Sequence, residues 1–158
     1  MAQLPTRGTM STLTHRPGAT WSQVELGEVF DFEALSVIGD LDPAGTDGFL
    51  EEVLSIFLES LEPMLIAVER ERDAGSAAGI RFEAHKLKSG ASQVGARRLA
   101  EACDEIMKRL SGDEHVDSAY KKCSKPPAAE LDLLANTLIS EAIRVQRKLR
   151  RLLAQAAN

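Results

Sequence analysis

Aromatic side chains are scarce in this sequence. Five Phe, one Trp and one Tyr supply only 4 % of 158 residues, although 44 % are hydrophobic. A core built with so few rings must rely on Ala, Leu and other aliphatic residues, which interdigitate well between packed helices. Long apolar runs are also missing. None approaches the roughly 18 residues that a membrane span needs, and the N-terminal residues show no apolar segment of a secretory leader. The chain therefore reads as cytosolic, with no membrane partner. Cysteine is limited to Cys103 and Cys123. Two thiols make no disulfide framework, and a zinc site needs more ligands at close spacing. Cys103 is expected reduced and buried on a helix, Cys123 near solvent in a loop. The excess of acids over bases gives a net charge of −5, which argues against nucleic acid as the principal partner. No segment sustains the two-residue alternation of a half-buried strand, so no sheet is expected.

The length fits one domain plus a tail, since domains commonly run to roughly 100–150 residues. Residues 1–27 carry Pro5, Pro17 and several glycines among many Ser and Thr. Without a helical or strand period they read as a disordered tail, in which His15 has no assigned role and Trp21 either docks or stays exposed. The domain is expected over 28–158. A short helix near 31–38 precedes a long one in which Leu50, Leu54, Phe57, Leu61, Met64, Leu65 and Val68 recur at three-and-four spacing. Pro63 lies inside that run, where a proline costs about 3 kcal/mol unless packing absorbs the kink. Gly75, Gly95 and Gly112 end successive helices. Residues 111–127 form a polar connection, and Pro126 or Pro127 suits the start of the last helix. There Leu131, Leu134, Leu138, Ala142, Val145, Leu149 and Leu152 form a heptad-like stripe. Four long amphipathic helices with mostly short links predict an all-α, antiparallel four-helix bundle, with the short extra helix capping one end.

The third long segment, "SAAGIRFEAHKLKSGASQV", carries an unusual histidine. With 3.6 residues per turn, Ile80, Ala84, Leu87, Ala91 and Val94 cluster within roughly 40° of one direction. On the same wheel His85 points about 140° away, with Lys88 at about 80°, Arg81 at about 100°, Ser92 at about 120° and Ser89 at about 180°. A core role for His85 fails on that geometry. Between residues 81 and 98 stand Arg81, Lys86, Lys88, Arg97 and Arg98 against one acid, Glu83. Cations at that density disfavour an imidazolium and favour a neutral ring, which is a nucleophile, and they would stabilise an anion placed on it. The pattern suggests a histidine that receives a phosphoryl group.

The stretch "AHKLKSGASQVGARRL" resembles the signature of histidine-containing phosphotransfer (HPt) domains, carriers in multistep two-component phosphorelays. That signature runs His-x-Leu-Lys-Gly/Ser-Ser/Ala, then Gly-Ala and a leucine. His85, Leu87, Lys88, Ser89, Gly95, Ala96 and Leu99 match it. The resemblance extends over about residues 28–152, including the opening helices and the proline in the long second one. It implies that His85 accepts and donates the phosphoryl group, that Lys88 neutralises the phosphoryl oxygens, and that Ser89 is the small neighbour where a partner approaches. Arg81, Phe82, Lys86 and Ser92 become candidate partner contacts, with Lys86 and Arg97–Arg98 able to steer an acidic receiver pocket. Many members carry Gly directly after the lysine. Here Ser89 intervenes, and Gly90 falls on the flank opposite His85, where close packing would explain it at about 1 kcal/mol of helix propensity.

The resemblance further implies receiver domains of a hybrid sensor kinase and of a response regulator as partners. It implies a monomer with no metal and no cofactor of its own, magnesium being expected on the receiver. The dimerisation helices of a sensor kinase fit less well, because an acid directly follows the histidine there and Lys86 follows it here. No asparagine- and glycine-rich ATP-binding segment is present, so a kinase activity is not expected. The alternative is a non-catalytic helical scaffold, a degenerate HPt, in which replacing His85 has no consequence.

Overall fold

The computed structural model describes residues 11–111 and 126–158. Its elements are β1 (Thr12–Arg16), β2 (Ala19–Ser22), α1 (Gln23–Leu26), α2 (Phe32–Gly39), α3 (Phe49–Asp73), α4 (Ala77–Gln93), α5 (Arg97–Arg109) and α6 (Ala128–Ala156). The apolar stripes become the core. Leu50, Leu54, Phe57, Leu61 and Val68 of α3 meet Ile80, Ala84, Leu87 and Ala91 of α4. Leu99, Cys103 and Ile106 of α5 and the leucine stripe of α6 complete it. Helices α3 to α6 pack in ring order, α3 on α4, α4 on α5, α5 on α6 and α6 on α3, while α4 and α6 barely touch. They form the expected four-helix bundle, in which α4 has one outer face free. Among the described residues, no helix is long and apolar enough to cross a membrane.

Pro63 does not interrupt α3, which runs unbroken from Phe49 to Asp73. The proline is exposed, so the Glu59 carbonyl that its missing N–H leaves unpaired lies on the solvent side of the helix. Pro127 is the N-cap of α6. Gly75 and Gly95 both take positive φ, 63° and 70°, directly after α3 and α4. At each, the next residue's N–H reaches back five residues, Ser76 to Glu71 and Ala96 to Ala91, closing a Schellman turn.

The N-terminal segment departs from expectation. Residues 1–10 lie outside the described residues, but 11–27 are not a disordered tail. They fold as the antiparallel hairpin β1–β2, in which Leu13 pairs with Trp21, followed by the one-turn helix α1. Ser22 and Glu25 cap α1 reciprocally, Ser22 Oγ accepting from the Glu25 amide and Glu25 accepting from the Ser22 amide. Trp21 and Leu13 are buried in the same core as the bundle. His15 stacks on Trp21 with ring centroids 4.1 Å apart, and its Nδ1 lies 2.8 Å from Glu51 Oε1 at the start of α3. Arg16 donates to the same carboxylate. The domain thus includes residues 11–27, and the two strands are its only sheet among the described residues.

Candidate functional site

Helix α4 is built to show one face. Ser76 caps it by accepting from the Gly79 amide, and Ile80, Ala84, Leu87 and Ala91 fix its rotation by burial. His85 is accordingly exposed, as are Ser89 and Ser92, while Arg81 and Lys88 are half-buried on the same side. Phe82 stands 62 % exposed beside them. Gly90 faces the other way. A Cβ there would meet the Phe57 ring at 3.0 Å, so α3 and α4 approach closely just below the histidine level.

The charges are less lopsided than their spacing in the sequence implies. Lys88 Nζ lies 2.5 Å from Asp104 Oδ1 on α5. Lys86 Nζ lies 2.7 Å from Glu83 Oε2, in an ionic contact without hydrogen-bond geometry, since that buried oxygen accepts no hydrogen bond. The same ammonium sits 5.0 Å from the Phe82 ring centroid, a cation–π distance. Arg97 is bound to Asp31, and Arg98 lies 3.7 Å from Glu28. Four of the five basic residues that form a positive face on the sequence therefore have acidic partners, three of them contributed by other parts of the chain. Lys86 is a held charge that props Phe82, rather than a free steering charge.

One participant escaped the sequence reading, and another was read only as a charge. Glu83, counted as the lone acid of the stretch, is a buried carboxylate on the α3-facing flank. Asp104 lies on the next helix. Its position was available in principle, because Lys88 and Asp104 stand the same number of residues either side of Ala96, as cross-helix neighbours in an antiparallel pair do. Directly behind Asp104, Cys103 is fully buried. Burial first, and then the Asp104 charge, push its thiol up to about 12, so it remains protonated and takes no part in the chemistry. Cys123 and most of the 111–127 connection lie outside the described residues. Among those described, no group of three or more His, Cys, Asp or Glu side chains is arranged to hold a metal ion.

The turn after α4 ties the site to the rest of the fold. The Asp31 amide donates to the Gly95 carbonyl at 2.8 Å, and Asp31 also caps α2 by accepting from Glu33. Arg97 beside it, the leading influence, holds the Asp31 carboxyl below the usual range despite the opposing cost of burial. The arrangement places an imidazole ring in solvent, one helical turn from an ammonium on the same exposed face of α4.

The model of the Hpt domain family matches residues 52–157, from the first turns of α3 to the end of α6. Among solved structures, histidine-containing phosphotransfer protein B (HptB) from Pseudomonas aeruginosa PAO1 is similar. The two share 23 % sequence identity with a TM-score of 0.58, over 82 % of this chain and 95 % of that one, a likeness of fold. None of the curated proteins matches the chain significantly. The hairpin, α1 and α2 precede the matched span.

Proposed function

The chain belongs to the Hpt domain family, and we propose that it serves as a phosphorelay intermediate with His85 as phosphoacceptor. The observation that carries this reading is the exposure of His85 midway along α4, with Lys88 one turn on upon the same face. A receiver domain bearing an aspartyl phosphate docks on that face. The lone pair of an unprotonated His85 ring nitrogen attacks phosphorus, the carboxylate–phosphorus bond breaks, and the receiver keeps its carboxylate. The ring leaves the step as a phosphorylated imidazolium and sheds its remaining proton to solvent. Reversal onto a second receiver passes the group to a response regulator.

Lys88 is the ammonium that meets the phosphoryl oxygens. Ser89 keeps the surface low beside His85, and Ser92 and Arg81 border it. Phe82, steadied by Lys86, is the apolar contact a docking partner would cover. The carrier works as a monomer and has no kinase activity of its own. Magnesium and the groups that activate the aspartyl phosphate come from the receiver. Incubation with a phosphorylated receiver and magnesium should transfer acid-labile label to the native chain and none to His85→Gln. Equal labelling of both would remove His85 from the mechanism, and a panel of receivers that labels neither would favour the scaffold.

A further inference from the structure

Lys88 is already engaged before any phosphoryl group arrives, and its partner points to a role for Asp104. Its Nζ lies 2.5 Å from Asp104 Oδ1, and the two side chains are 39 % and 41 % exposed. A pair so open to water is weakly held and exchanges readily. An ammonium has three donors, so Lys88 can turn one or two toward a phosphoryl group on His85 while Asp104 keeps its hold on the third. The carboxylate then stands next to a group carrying close to two negative charges. Of the other α4 cations, Lys86 is tied to Glu83 on the opposite flank, while Arg81 stands one turn before His85, on the far side of the ring from Lys88.

We infer that Asp104 is a positioning residue that competes with the phosphoryl group for Lys88 and so keeps the group transferable. The inference rests on His85 being the phosphoacceptor. Before transfer, the ion pair holds the Lys88 ammonium in place. After transfer, Asp104 withdraws part of its neutralising charge and repels the phosphoryl oxygens. The bond to nitrogen is therefore less stable than Lys88 alone would make it, as a relay that must give its cargo away requires. Across a partly exposed surface with an intermediate effective dielectric, one such neighbouring charge is worth up to roughly a tenfold change in equilibrium.

The test is the equilibrium constant for phosphoryl exchange between a receiver and the full chain, measured for native, Asp104→Asn, Asp104→Glu, Lys88→Met and the Lys88→Met/Asp104→Asn double variant. Asp104→Asn should move the equilibrium toward phosphorylated His85 by about threefold to tenfold. The shift should shrink as salt rises through the physiological range, because the charges are partly exposed. Asp104→Glu should behave as native, and the Asn substitution should shift the equilibrium by less when Lys88 is already Met, because only the direct repulsion is then removed. A merely structural Asp104 would change the unfolding midpoint without this salt-dependent, Lys88-dependent shift. If native protein takes label and Asp104→Asn equilibrates identically, or shifts toward the receiver, this inference falls while the carrier reading stands. If native protein takes no label, both fall.

Discussion

Gly95 shows how one residue couples the site to the fold. Its φ of 70° lies in the left-handed region, which costs other residues roughly 1–2 kcal/mol. Space is as restrictive as conformation. A Cβ at this position would stand 2.9 Å from both the Asp31 carbonyl oxygen and the Ala34 Cβ, where α2 docks on the turn. Gly95→Ala should therefore lower unfolding free energy by about 2 kcal/mol or more, measured by urea denaturation, and an unchanged midpoint would refute this account of the turn. From the sequence alone, Gly95 was legible as a helix stop but not as a docking point, because only the fold brings Asp31 and Ala34 to it. Gly90 was read more fully. Its angle on the helical wheel predicted close packing away from His85, and Phe57 lies there. His85 itself was legible from that wheel. Its counter-charges were not, since Asp31, Glu28 and Asp104 reach the region from other elements.

At the scale of elements, the helices followed from apolar spacing, and the connections between them depend on side chains that spacing does not reveal. Asp42 organises the approach to α3. It accepts hydrogen bonds from the amides of Thr46 and Asp47 in the loop before the helix and of Phe49, the first residue of α3, whose N–H the helix itself leaves unpaired. Burial works against its charged form, but those amides together outweigh burial and hold the carboxyl below its ordinary value of 3.8. A carboxyl held low in the folded chain contributes stability that is complete above the unfolded value and is lost as pH falls through the folded one. Unfolding free energy should consequently decline on acidification below about pH 4. Asp42→Asn should be less stable than native at neutral pH and should show a shallower decline on acidification, because its amide cannot accept from both sides. Denaturation curves taken from pH 6 to pH 2.5 compare the two slopes, and parallel slopes would discount Asp42. Asp31, also held low, supplies part of the remaining slope.

At the scale of the whole molecule, the bundle carries an addition that precedes the family span. The "HRPGAT" stretch contained the signal. Pro17 followed by Gly18, with φ of 77°, suits the two central positions of a type II turn, and Leu13 and His15 alternate with Thr12 and Thr14 on the first strand. Proline and glycine were read as breakers of structure, whereas here they join two strands too short to sustain a visible period. The hairpin is fastened where α3 begins, through His15, Arg16 and Glu51. Since Phe57 faces Gly90, that end of α3 lies roughly 15 Å along the bundle from the level of His85, at 1.5 Å per residue. Trp21→Ala should cost about 3–5 kcal/mol of stability and leave the phosphoryl exchange equilibrium within about twofold of native, since the hairpin is fastened at the start of α3, away from the His85 level. A large change in exchange with folding intact would place the hairpin in the docking surface instead.

The central claim is that one of three histidines, His15, His85 and His115, receives the phosphoryl group. His15 is buried against Trp21, and among the described residues only His85 combines exposure with a lysine one turn on upon the same face. The most direct test is to charge the native chain from a phosphorylated receiver and locate the label by mass spectrometry of peptides kept at alkaline pH. The account predicts phosphohistidine in the peptide containing His85 and unmodified His15 and His115. Label on either of those two, or on a residue other than histidine, would contradict it.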